Sequence, residues 1–153
     1  NVTAIAGFAS GDGLRLFVSS EISAGVTELS FQTGRSGSVL IAQPGGGGTT
    51  GGVRNDMLVG GAGNDRLDGG TGNDTMFGGG GADRFVFAAG HGDDLIRDFD
   101  PAADILELTG LAPDAGALGL TAREDGMLVT TPGGTILLEG VAEGALLVDD
   151  FVF

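Results

Sequence analysis

Between residues 51 and 86 the chain repeats itself every nine residues: GGVRNDMLV, GGAGNDRLD, GGTGNDTMF, GGGGADRFV. Each unit opens with two glycines, sets Asp at its sixth place (Asp56, Asp65, Asp74, Asp83) and a large apolar residue at its eighth (Leu58, Leu67, Met76, Phe85). Self-similarity at a fixed period marks a stacked architecture built from one small element. Glycine reaches backbone conformations that a Cβ forbids and lets a second segment come close, so the first six residues form a turn. The last three alternate in polarity, as a short strand does. Each unit is therefore turn plus strand, and two units make one revolution of a coil. Strands on one side stack in parallel, and Leu58, Leu67, Met76 and Phe85 fill a narrow core.

Stacking the turns also stacks their carboxylates, which repel at close range unless neutralised. A hard divalent cation between turns converts that repulsion into attraction. Calcium accepts six to eight oxygen ligands in flexible geometry, whereas magnesium demands a tighter octahedron. The turns supply oxygens of both kinds needed, Asp side chains and exposed glycine carbonyls. With no Cys and a single His, a zinc-type thiolate or imidazole site is excluded.

These units resemble the nonapeptide G-G-x-G-x-D-x-U-x of the RTX, or haemolysin-type, calcium-binding proteins. The resemblance implies a parallel β-roll with several Ca2+ ions between turns two repeats apart. The turn of Asp56 would share an ion with that of Asp74, and the turn of Asp65 with that of Asp83. Backbone carbonyls near Gly61, Gly63, Gly70, Gly72, Gly79 and Gly81 would complete the shells. One departure stands out: Arg54 occupies the place of the second-turn glycine in the first unit, so the site there is expected to be weak or absent.

After a two-residue insertion, Phe87-Ala88, residues 89–97 form a worn fifth unit with Gly90, Gly92, Asp94 and Ile96 in phase. Asp94 is a candidate ligand facing Asp74 or Asp83, and His91 is read as a solvated turn residue. Residues 83–108 resemble the closing segment of the roll in serralysin-type proteases and alginate epimerases. Asp98, Asp100 and Asp104 would then make one more site; a solvated acidic turn around Pro101 is the alternative.

The flanks read differently. Residues 2–42 alternate between turn signals at residues 10–13, 23–25 and 33–37, as in an antiparallel meander of three or four strands, the last over residues 38–42. The loop at Asp12 is read as a plain hairpin turn. Residues 43–50 (QPGGGGTT) have linker composition, or form a degenerate first turn of the roll without its Asp. Residues 111–119 suit one helical turn. Residues 120–138 suggest two hairpins, turning at residues 124–126 and 131–134, that cap the open end of the roll. The expected organisation is all-β: a meander over 1–42, either a cap on the roll or the end of a larger β domain upstream, a linker over 43–50, a parallel β-roll over 51–108 and a β-hairpin cap over 109–153.

Acidic residues number 21 against seven basic ones, all Arg, for a net charge of −14. That balance disfavours nucleic acid and anionic membranes and favours cations. No stretch approaches the length of an apolar membrane span. The chain opens on Asn without a signal-peptide pattern, as a fragment or processed product would. Neither H-E-x-x-H nor G-x-S-x-G is present, and no enzyme is expected. The ending Asp149-Asp150-Phe151-Val152-Phe153 resembles the extreme C-terminus of proteins exported by type I secretion, and is otherwise a final docked strand. The expected function is a calcium-binding module that folds outside the cell and supports type I secretion. The alternative is a calcium-dependent structural or adhesive module that self-associates through its strand edges.

Overall fold

The computed structural model describes residues 5–10, 13–18, 37–42 and 45–153. The first two segments form strands β1 (Ile5–Ser10) and β2 (Gly13–Val18), paired antiparallel with Ser10 opposite Gly13. Asp12 and the strand expected at 26–32 lie outside the described residues.

From Val39 onward the chain winds between two sheets. One side carries β3 (Val39–Ile41), β5 (Met57–Ala62), β7 (Thr75–Gly80) and β9 (Gly92–Ile96), and the other β4 (Gly48–Gly52), β6 (Arg66–Gly70), β8 (Arg84–Val86) and β10 (Ile105–Glu107). Within each set neighbours run parallel and pair with the strand two units away. This is the coil of turn and strand that the repeat dictates. It also begins earlier than Gly51. β3 and β4 lie in residues assigned from sequence to the meander and the linker, yet they pair in parallel with β5 and β6. The antiparallel partnering expected of residues 38–42 is corrected accordingly. The reason lies in the core: Leu40 faces Leu58, and Thr49 faces Leu67, so both join the apolar columns.

Those columns are continuous. Leu40, Leu58, Met76, Ile96 and Leu138 follow one another across the first sheet; Thr49, Leu67, Phe85, Leu106 and Phe151 follow across the second. Leu58, Leu67, Met76 and Phe85 are completely buried. Burying a side chain of this size contributes about 1.5–3 kcal/mol. Side chains from both sheets meet in one cluster.

The C-terminal cap follows the expected plan. A 3-10 turn covers Ala115–Ala117, followed by β11 (Gly119–Arg123), β12 (Gly126–Thr131) and β13 (Gly134–Glu139). β11, β12 and β13 are an antiparallel meander, and β13 adds in parallel to β9, covering the edge the roll would otherwise leave open. The last strand, β14 (Phe151–Val152), lies parallel on β10. The fold is all-β, and no helix among the described residues is long and apolar enough to cross a membrane.

Candidate metal centre

The turns stack as closely as the strands. Cβ atoms built on Gly79 and Gly81 would lie 2.0 and 2.2 Å from the carbonyl oxygens of Gly61 and Gly63, one revolution earlier. Both glycines also hold φ in the positive range, at 92° and 140°. Carbonyls of one turn thus point along the stack at the bare backbone of the next, which only glycine permits. The carbonyl of Gly72 lies in the same way under Gly92, and that of Gly52 under Gly70. Arg54 does not divert this path: its own carbonyl lies under Gly72.

The aspartates form two ladders. The Asp56 N–H donates to Asp74 Oδ1 at 2.7 Å, and the Asp74 N–H to Asp94 Oδ1 at 2.8 Å. In the second ladder the Asp65 N–H donates to Asp83 Oδ1 at 2.9 Å, and the Asp83 N–H to Asp104 Oδ1 at 2.8 Å. The Ser38 N–H bonds Asp56 Oδ1 and begins the first ladder. The two-residue insertion therefore leaves Asp94 facing Asp74. Asp98 takes the N–H groups of Gly78 and Gly79 at 2.8 and 3.0 Å. Asp104 Oδ2 takes the Asp100 N–H at 2.9 Å, and Asp100 itself caps Ala102.

The acids differ in what remains unsatisfied. Asp56, Asp94, Asp98 and Asp104 each have both oxygens engaged by protein groups. Asp65 and Asp74 are each only 2% exposed, yet among the described residues both oxygens of Asp65 and Oδ2 of Asp74 have no hydrogen-bond partner. A buried charged oxygen without a partner is costly. Burial pushes the Asp74 carboxyl up to about 7, with Asp94, Asp56 and Asp68 adding repulsion and the Asp56 N–H opposing it. Burial likewise raises the carboxyls of Asp65 and Asp104. These are positions that call for a proton or a cation. Among the described residues no three acidic, His or Cys side chains gather into one cluster, so an ion here takes one or two carboxylates and fills its shell from backbone carbonyls. An oxygen-only donor set of that kind fits calcium.

Two features escaped the sequence reading. Asn55, Asn64 and Asn73 also tie the turns: their side-chain oxygens accept the N–H groups of Asn73, Ala82 and Asp93 respectively at 3.0–3.1 Å, Asn55 and Asn73 along one column and Asn64 along the other. Their recurrence at the fifth place of three units was the signal. The second is His91. Expected in solvent, it is 1% exposed. Its Nδ1 lies 2.6 Å from Asp94 Oδ2 and its Nε2 lies 2.8 Å from Thr131 Oγ1. Phe87 packs edge-on against the ring. The reason for the correction is β13: its docking on β9 brings the residue 131–134 turn over the His91 turn.

The ladders, the glycine turns and the parallel coil define a calcium-binding β-roll. Residues 50–85 match the RTX calcium-binding nonapeptide repeat in four copies, and repeats of this kind bind several Ca2+ ions between them. The chain thus carries an RTX calcium-binding repeat module. Among solved structures it is similar to the AlgE6R3 subunit of the Azotobacter vinelandii mannuronan C5-epimerase, at 28% identity over 86% of each chain with a TM-score of 0.53. It is similar also to the AlgE6R2 subunit of that epimerase, at 29% identity over 72% of this chain and 92% of that one, TM-score 0.50. The extracellular lipase LipA of Serratia marcescens aligns at 19% identity over 97% of this chain and 26% of its own, TM-score 0.49. No curated protein sequence matches the chain.

Proposed function

We infer that the chain is a calcium-dependent folding module of an exported protein, with its ions held between stacked turns. The observation that carries this reading is the pair of buried carboxylates Asp65 and Asp74: both oxygens of Asp65 and Oδ2 of Asp74 find no donor among the described residues. The turns of Asp56 and Asp74 share one ion and those of Asp65 and Asp83 another. Asp94 extends the first column, and Asp98 and Asp104 close the second. Carbonyls of Gly61, Gly63, Gly70, Gly72, Gly79 and Gly81 are the remaining ligands. Bound calcium supplies the positive charge that the ladders lack.

The consequence is a switch. With a net charge of −14 and unneutralised buried acids, the chain stays open where calcium is scarce. Where calcium is abundant, each ion that binds only the folded form adds RT ln(1 + [L]/Kd), about 2.7 kcal/mol at a hundredfold excess over Kd. Export through a type I apparatus, led by the C-terminal Asp149–Phe153 segment, places that transition outside the cell. The likeness to repeat subunits of an epimerase supports an accessory module of a larger protein, and no catalytic role is assigned to this chain.

Far-ultraviolet circular dichroism during a calcium titration, with magnesium as control, tests the switch. A cooperative coil-to-strand transition with calcium alone is expected. A spectrum already rich in strand in chelator, and unmoved by calcium, overturns it.

A second reading has its own observation. Among the described residues β3 and β4 each end one side of their sheets, and Val39 and Ile41 on β3 stand exposed with Met57 of the adjacent β5. Calcium would then order an edge that pairs with another copy. Light scattering decides: a particle that stays monomeric at high calcium and high protein concentration removes this reading.

A further inference from the structure

The second ladder has an unmatched lower end. Each acid above it takes the N–H of the residue one revolution below. For Asp65 that residue is Gly47, which brings no carboxylate. The path of the backbone is nonetheless the repeat's own. The Arg66 N–H donates to the Gly47 carbonyl at 2.7 Å, as the Arg84 N–H donates to the Asp65 carbonyl at 2.8 Å. The Gly45 N–H donates to Ala62 at 2.9 Å, as the Gly63 N–H donates to Gly80 at 2.7 Å. Gly45 and Gly63 share a positive φ, 101° and 104°. A Cβ on Gly63 would meet the Gly45 carbonyl group, and a Cβ on Gly46 would lie 2.6 Å from the Asn64 carbonyl oxygen.

Between these turns the Asp65 carboxylate has no hydrogen-bond partner at either oxygen, although the residue is 2% exposed. The Gly47 N–H approaches it without the geometry of a hydrogen bond. Asp65 lines a cleft of about 750 Å³ together with Gly45, Gly46, Gly47 and Gly63. Arg66 and Arg84 border the same cleft, but their guanidinium groups are drawn away to Asp68 and Glu107. What the cleft presents to its occupant is the Asp65 carboxylate and a glycine turn, Gly45, Gly46 and Gly47, along the same wall.

We propose that the turn of Gly45, Gly46 and Gly47 holds a calcium ion against the Asp65 carboxylate, with backbone carbonyls of that turn as further ligands. The glycine turn of this site precedes residues 50–85, which match the repeat family, and the site has a carboxylate on one side only. It rests on the calcium reading above. A single charged ligand makes it the weakest site of its column, because calcium affinity rises with the number of charged ligands. Asp65 then bridges two ions, one below and one shared with Asp83.

Native mass spectrometry of the full chain at saturating calcium counts the ions. Gly46→Val drives a side chain into the Asn64 carbonyl and is expected to bind one ion fewer than the unaltered chain. Gly47→Asp supplies the missing carboxylate in a backbone conformation open to any residue, and is expected to move the last step of the calcium titration to lower concentration. An unchanged count in Gly46→Val, or an unmoved last step in Gly47→Asp, overturns the proposal. Should Gly46→Val fail to fold, the Gly47→Asp titration decides alone. A chain that binds no calcium at all defeats the general reading instead, so the two failures are distinguishable.

Discussion

The backbone N–H of Asp56 and the carboxylate of Asp74 meet at 2.7 Å across eighteen residues of sequence. One oxygen of Asp74 is thereby satisfied by the turn below, and the other is buried without a partner. Asp74 is thus both a structural strut and an uncompensated charge.

Removing the charge while keeping the strut separates these roles. Asp74→Asn is expected to raise stability in chelator, because a buried charge and its repulsion from Asp94 and Asp56 disappear. The same variant is expected to shift the calcium midpoint upward by roughly tenfold, about 1.4 kcal/mol. The exposed acid Asp125 serves as control, and Asp125→Asn is expected to change neither quantity. Strand content by circular dichroism, in chelator and through a calcium titration, gives both readings; equal shifts for the two variants contradict the stacked-turn site.

Acidity acts on the calcium-free protein in the same direction. The Asp74 carboxyl rises from 3.8 to about 7 on folding, and those of Asp65 and Asp104 also rise. The folded state therefore binds protons more tightly than the unfolded one, and stability falls as pH rises between these values. The contribution is complete below about 4 and lost as pH passes about 7. In chelator the strand content seen by circular dichroism is expected to be higher at pH 5 than at pH 8. With calcium present, protons compete for the ligands, and affinity is expected to weaken below pH 7. A chelated protein with less strand at pH 5 than at pH 8 sinks this account.

Two adjacent glycines should answer differently to the same change. Gly79→Ala places a Cβ 2.0 Å from the Gly61 carbonyl oxygen at a φ of 92°. It is expected to cost more than the ~1–2 kcal/mol of left-handed strain alone. Gly80 has open space around its missing Cβ, and the equivalent place in an earlier unit is Ala62. Gly80→Ala is expected to fall within about 0.5 kcal/mol of the unaltered chain. Thermal melts in calcium settle the pair.

His91 ties the roll to its cap. Replacing it by Ala strands Asp94 Oδ2, while the Thr131 hydroxyl keeps the Gly133 N–H and the Gly134 carbonyl, at an expected cost of about 1–3 kcal/mol for the stranded carboxylate oxygen. The loss is expected to appear first as faster hydrogen exchange in β13, while β5 and β7 keep their protection. Because the chain has one histidine, its ring signals follow the same event without assignment. Uniform exchange across all strands argues against a local clasp.

Within the core, Leu67→Ala is expected to cost about 2–5 kcal/mol. Thr49 lies next to Leu67 in the same column, and the hydroxyl it buries is the exception there. Thr49→Val is expected to stabilise the first revolution by about 1 kcal/mol. Destabilisation by that change means the hydroxyl has a partner of its own.

The middle of the roll was legible because position and chemistry coincide there. Leu58, Leu67, Met76 and Phe85 declare the core, and the parallel coil follows from their phase. The first revolution was obscured for the same reason in reverse. Gly47 stands where Asp belongs and Thr49 where a large apolar residue belongs, so only backbone pairing reveals them. The hairpins of the cap were legible from their glycine turns. The burial of His91 was not, since its second partner, Thr131, lies forty residues further on. No local pattern encodes a contact made by docking. The asparagines were visible in phase at Asn55, Asn64 and Asn73, but their bonds run between turns and emerge only once the turns are stacked.

The ladders also tolerate uneven loops. Asp74 reaches back eighteen residues, Asp94 twenty and Asp104 twenty-one, each with a bond of 2.7–2.8 Å. Loop length is therefore free, but parity is not. Deleting one nonapeptide would send every strand before it to the opposite sheet, whereas deleting two would return each strand to its own. The size of this molecule is quantised in whole revolutions, and viable shortened or lengthened forms should differ from it by even numbers of repeats.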